Sequence, residues 1–165
     1  PTVSATGCTV LQALTQSLPG EDETVLAAFS HNLSGVLPSA ADAVDAVADG
    51  SCYVGVATED LALQAADNGF SVTVVYPAEG TVIQPDCAAV VQGCLHEDNA
   101  RAFIDFLLSD EVQTRLTRQS RRAVRGQAAA SAALPRAMAY DAYAAGARQA
   151  ELLAIWQSLT AEEAS

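Results

Sequence analysis

Apolar residues at Val10, Leu11, Leu14 and Leu18 recur at three- and four-residue intervals, the period that gathers side chains on one face of an α-helix. Pro19-Gly20 stops that run, and Ser4-Ala5-Thr6-Gly7 supplies small and polar residues suited to its N-terminus. A second helix is predicted over 22–31. After the polar, glycine-containing stretch 32–35, Pro38-Ser39 leads into Ala40, Ala43, Val44 and Val47, again one helical face. Ser39 is its predicted N-cap and Gly50 its stop. Residues 52–56 are a short apolar run suited to a buried strand, and 59–68 read as a helix closed by Gly69. Further strands are predicted over 71–76 and 87–91. Helix alternating with strand predicts an α/β fold with at least partly parallel pairing, since parallel neighbours need helical crossovers.

From Asp98 the period becomes wholly helical. Ala102, Phe103, Phe106 and Leu107 form one stripe, and Asp110 is placed to cap a following helix through Val112 and Leu116. Arg115, Arg118, Arg121, Arg122 and Arg125 then cluster, either as an anion site or as a solvated helix end whose carbonyls face cations. The alanine-rich residues 126–133 read as a linker. Residues 144–159 close the chain as an amphipathic helix carrying its only tryptophan, Trp156.

Composition narrows the possibilities. Of 165 residues, 50% are hydrophobic, enough for one modest core or parts of two lobes. The net charge of −12 opposes binding to a polyanion such as nucleic acid, which needs a basic, counterion-releasing face. All 8 basic residues are arginine, which reads as genome composition more than chemistry. No run reaches the roughly 18 apolar residues of a spanning helix. Export and lipid-anchor signals are expected upstream of Pro1-Thr2-Val3.

Four cysteines, Cys8, Cys52, Cys87 and Cys94, lack the short paired spacings of a zinc site, and only His31 and His96 stand beside them, so no metal is expected. Two readings of the thiols stay open: four buried free thiols, or a Cys8–Cys52 bridge between a helix start and a neighbouring strand. No Ser-His-Asp or Cys-His pattern, P-loop or dinucleotide fingerprint presents itself, so neither catalysis nor a cofactor is expected.

In order along the chain, "PTVSATG" before a helix, "AVADGSCYVGVATED", "VTVVYPAEGT", "NARAFIDFLLSDEVQ" and "SRRAVR" resemble the bacterial extracellular solute-binding proteins of the iron, phosphonate and sugar-phosphate type. The resemblance spans nearly the whole chain. It implies the C-terminal half of a two-lobed periplasmic-binding fold of type II. Residues 1–75 would then be most of the second lobe, 76–82 a crossing hinge strand, and 83–165 a segment returning to the first lobe. It further implies capture of a small anionic solute outside the cytoplasm, in a periplasmic or membrane-anchored lipoprotein, for delivery to an ABC permease. A ligand-sensing ectodomain of the same fold is the alternative. Without its first lobe, the chain would expose apolar faces and self-associate.

The candidate contacts follow from helix termini, where unsatisfied N–H groups and the positive dipole end favour anions. Ser4, Thr6 and Gly7 form either an oxyanion cradle or an ordinary cap. Ser39 has the same two readings. Iron-binding members carry two tyrosines where this chain reads Thr58-Glu59-Asp60-Leu61, so the resemblance points away from ferric ion and toward phosphorylated or phosphonate-bearing solutes. Thr58, Glu59 and Asp60 are ligand contacts on that view, or acids complementing a helix dipole. Glu79, in the Tyr76-Pro77-Ala78-Glu79-Gly80-Thr81 turn, would hang near the cleft.

A straight run from Cys87 to Cys94 at ~3.3 Å per residue would hold their Cα atoms more than about 20 Å apart, beyond disulfide reach. Non-reducing peptide mapping is therefore expected to recover no Cys87–Cys94 cross-link.

Overall fold

The computed structural model describes residues 4–130 and 133–162; residues 1–3 of the "PTVSATG" motif and 131–132 of the predicted linker lie outside that range. The described elements are α1 (Ala5–Ser17), α2 (Asp22–Ser30), α3 (Ala40–Ala48), α4 (Glu59–Asp67), α5 (Glu97–Leu107), α6 (Asp110–Thr117), α7 (Gly126–Ala130) and α8 (Ala142–Glu162). They fall into two compact units. Unit 1 joins Pro1–Val82 to Arg136–Ser165, and unit 2 is Ile83–Pro135.

The core of unit 1 forms where α8 lies against α1 and α2. Leu11, Leu26, Leu152 and Trp156 are buried together, with Phe29, Leu33, Leu153, Ile155 and Leu159 packed around them. The Phe29 and Trp156 rings are tilted by 44° with centroids 6.0 Å apart, within the range of favourable aromatic pairs. Polar ties fix the register. Buried Gln12 donates through Nε2 to the Ala145 carbonyl at 3.1 Å, and its Oε1 accepts from the Tyr140 hydroxyl at 2.8 Å. One turn further on, Gln16 donates to the Asp141 carbonyl and accepts from the Asp141 N–H. Asp141 in turn caps α8 by accepting from the Tyr143 and Ala144 N–H groups, so the helix starts two residues before the 144–159 expectation. At the surface Arg148 bridges Asp22 of α2 and Glu151.

A second pair, α3 with α4, packs within unit 1. Next to it Gly55 passes so close that a Cβ would stand 2.9 Å from the Ala43 carbonyl oxygen.

The predicted strands do not pair. Residues 52–56, 71–76 and 87–91 run without a ladder, and the one β-bridge among the described residues joins Thr81 to Ala137 in parallel. A strand exists only with a neighbour about 4.8 Å away to exchange N–H and C=O groups. None stands beside these segments, and Val54 and Val75 are 84% and 82% exposed. The apolar, β-branched pattern favours a strand, but the described chain forms none at these three segments, so the α/β expectation is not met there.

Three smaller expectations also change. Residues 126–130 of the predicted linker form the short helix α7. Ser109, not Asp110, caps α6: its backbone is extended and its Oγ accepts from the Val112 N–H at 3.4 Å. The cysteines are all free, so no Cys8–Cys52 bridge forms. Cys8 is buried as expected, but Cys87 is exposed, and Cys52 and Cys94 are half-buried. The Cys52 sulfur meets the Ser34 hydroxyl at 3.8 Å, and the run from Cys87 bends at Gly93, whose φ of 75° is left-handed.

Unit 2 lacks a comparable core. Gln113 is its one buried described residue, while Phe103 and Phe106 are 59% and 53% exposed. Leu26→Ala is accordingly expected to cost about 2–5 kcal/mol of stability through the cavity it leaves. Phe103→Ala, on an exposed face, is expected to cost less than about 1 kcal/mol. Urea titrations of both variants measure the contrast.

Candidate functional site

Every residue expected to contact a solute lies in unit 1, at or beside a helix start except for Glu79, which sits in a turn. Helix α1 begins at Ala5, so Thr6 and Gly7 belong to its first turn instead of preceding it. Ser4 is the N-cap, with extended backbone, and its Oγ accepts from the Gly7 N–H at 3.3 Å. The first turn of α1 contains no acidic residue. Its positive end is therefore neutralised by no side-chain charge of its own, and a neutral hydroxyl stands at its mouth.

The other starts differ. At α3, Ser39 and Asp42 make a capping box: the Ser39 Oγ accepts from the Asp42 N–H at 3.2 Å, while Asp42 Oδ2 accepts from the Ser39 N–H at 3.0 Å and its hydroxyl at 2.7 Å. A carboxylate thus already occupies the place an anion would take. At α4, Thr58 is the N-cap without a side-chain hydrogen bond, and Glu59 and Asp60 open the helix with two negative charges. Glu59 Oε1 accepts from the Tyr76 hydroxyl, which ties the start of α4 to the far end of the 71–76 segment.

Tyr76 leads into the turn that sequence placed at a hinge. The Gly80 N–H donates to the Pro77 carbonyl at 3.0 Å, closing a turn with Glu79 exposed at its tip. Gly80 has φ +117°, and a Cβ there would stand 2.8 Å from the Met138 nitrogen, so glycine is required both for conformation and for space. The neighbouring pass is fixed by the Thr81 N–H donating to the Arg136 carbonyl, the Met138 N–H donating to the Thr81 carbonyl, and Arg136 donating to the Ala78 carbonyl.

The structure brings Glu59 and Tyr76 together. It gives Ser4 with Gly7, and Ser39, separate packing partners, α2 and α8 for α1 and α4 for α3. Tyr76 itself was missed as a side chain with a role at this site. No signal in the sequence points to it, because the contact with Glu59 arises only from the fold of the residues between them. Among the described residues, no group of three or more His, Cys, Asp or Glu side chains could hold a metal ion.

Just inside the α1 start, burial pushes the Cys8 thiol above its ordinary value, and burial likewise raises the neighbouring Tyr140 hydroxyl, helped by Cys8. Both groups are neutral in the fold.

The chain belongs to the bacterial extracellular solute-binding protein family, whose model matches residues 1–144. No curated protein and no solved structure matches it. Family membership gives the chain a solute-binding role outside the cytoplasm, typically beside a membrane transporter, in a family that fits the periplasmic-binding fold and is normally non-enzymatic. No helix among the described residues is long and apolar enough to cross a membrane.

Because the folded pKa values of Cys8 and Tyr140 lie above their ordinary 9.0 and 10.0, the stability they lend is intact below pH 9 and is lost as pH rises through the raised values. Urea midpoints are expected to stay level in this respect up to about pH 8.5 and then fall. Cys8→Ala should shift the onset of the fall toward the tyrosine range.

Proposed function

We propose that the protein captures a small anionic solute, an organic phosphate, a phosphonate or a similar oxyanion, for an ABC importer. The observation that carries this reading is the start of α1. Among the helices of eight or more described residues it alone combines a first turn without acids and a neutral serine cap; α2 to α6 open on carboxylates and α8 is capped by Asp141. Ser4 Oγ, Thr6 Oγ1 and the N–H groups through Gly7 would hold the anion's oxygens. Glycine at position 7 lets the ligand approach the backbone.

On this reading the chain is the C-terminal half of a two-lobed α/β protein, anchored outside the cytoplasm as a lipoprotein or free in a periplasm. The exposed apolar segments 52–56, 71–76 and 87–91, which form no ladder among the described residues, support it, since their composition suits strands that pair with others. The turn at Glu79 and the crossing at Thr81 would form the hinge, and closure would present the loaded protein to the permease. Glu59, Asp60 and Thr58 would face the hydroxyl or amine end of the solute, with Tyr76 orienting Glu59. Ser39 would join as a second donor once the anion displaces Asp42 from the start of α3.

Titration calorimetry of the chain with phosphate, methylphosphonate and glycerol phosphate tests the reading. Ser4→Ala removes a hydrogen bond to a charged group and is expected to weaken binding by about 10- to 100-fold. Asp42→Asn, which withdraws the competing carboxylate, is expected to tighten it. Absence of heat from all three anions, with ferric ion binding instead, would overturn the proposal.

A further inference from the structure

The charges of the chain are sorted between its two units. Unit 1 holds fourteen Asp and Glu against two arginines, and unit 2 holds six against six, so the whole −12 belongs to unit 1. Within unit 2 the arginines are concentrated further: from Val112 to Pro135 there is no acid, and five arginines occupy 115–125.

That basic segment is held in place. Buried Gln113 donates to the Leu107 carbonyl at 2.9 Å and accepts from the Val124 N–H at 2.9 Å, tying both ends of the segment to one side chain. Ser120, at φ 59°, makes the reversal between them and is the non-glycine residue with positive φ among those described. Arg121 is committed to Asp86 at 2.6 Å and Arg122 to the Ala133 carbonyl at 2.7 Å. Arg115, Arg118 and Arg125 are exposed and make no ion pair or hydrogen bond among the described residues, although Arg125 shares an open hollow with Asp105 and Asp110. These three guanidinium groups, without an ion pair among the described residues, are free to take carboxylates of another molecule.

Unit 1 carries a matching set. Asp42, Asp45 and Asp49 stand at i, i+3 and i+7 along α3 and its C-cap, a single exposed stripe. Asp45 has no partner among the described residues, and the Asp42 and Asp49 carboxylates are hydrogen-bonded but open to water. We propose that the α3 carboxylate stripe of one copy docks on Arg115, Arg118 and Arg125 of a second copy, so that the chain self-associates by charge complementarity. Guanidinium suits this role because its planar fork engages carboxylates bidentately. The contact is independent of which solute the protein binds.

Sedimentation equilibrium of the 165-residue chain at 0.1 M and 1 M NaCl tests it. At 0.1 M the Debye length of about 10 Å screens repulsion between two highly acidic copies while sparing facing pairs; at 1 M, about 3 Å, the pairs weaken as well. Association is expected to drop by about tenfold or more between these salts. R115E/R118E/R125E and D45R/D49R should each be monomeric at 0.1 M with unchanged melting, and mixing the two variants should restore association, because each supplies what the other lacks. If either reversal perturbs folding, R115Q/R118Q/R125Q serves instead and should also be monomeric. Association that strengthens with salt would assign the contact to the exposed apolar residues and overturn the proposal, as would a monomeric wild-type chain at 0.1 M or variants that associate like the wild type.

Discussion

The docking of α8 across α1 and α2 is the contact on which unit 1 depends. Leu11 and Leu26 meet Leu152 and Trp156 across more than a hundred intervening residues, so the entropy of closing that long loop must be offset by the buried apolar surface of a few large side chains. Apolar packing alone would leave α8 free to slide by a turn. The two-ended bonding of Gln12, to Tyr140 and to the Ala145 carbonyl, and the reciprocal pair between Gln16 and Asp141 select one register. A buried amide satisfied at both ends is costly to misplace, because a slipped helix would leave it unpaired.

That register also settles the surroundings of the α1 start. Cys8 and Gln12 lie one turn apart, and the helix dipole they flank points its positive end toward Ser4. Elsewhere in the molecule the dipoles are balanced locally: acids sit in the first turns of α2 to α6. The contrast between the α1 start and the others is one of charge and not of cavity shape. The hollow at Asp105 and Arg125 is open to solvent.

The longer helices were legible from sequence to within a few residues, whereas the short α7 lay in a stretch read as linker. Ser4 and Ser39 were recognisable as caps because a small hydroxyl followed by a helical apolar period has few other uses, and the glycines at 50 and 69 lie just past the helices they were expected to end. Family membership was legible too, from an ordered set of individually weak motifs. The expected sheet is not met among the described residues, for a physical reason: Cys52, Val54 and Val56 have strand-like chemistry, but pairing is a property of two segments, and no single segment encodes its neighbour's presence. The capping box at Ser39 hid in plain view, since Asp42 three residues on is its usual signature. Tyr76 and Glu59 could not be joined from sequence, because their hydrogen bond depends on how residues 68–75 turn back.

The Thr81–Ala137 bridge has a consequence for the architecture of the gene product as well as for its mechanics. The chain leaves unit 1 after Val82 and rejoins it at Arg136, and the bridge holds these two passes side by side. Residues 83–135 are thus an insertion whose two ends meet at one point on its host. The host's own core, built by Leu11, Leu26, Leu152 and Trp156, lies wholly outside the span of that segment, so the two can vary in sequence without sharing core residues.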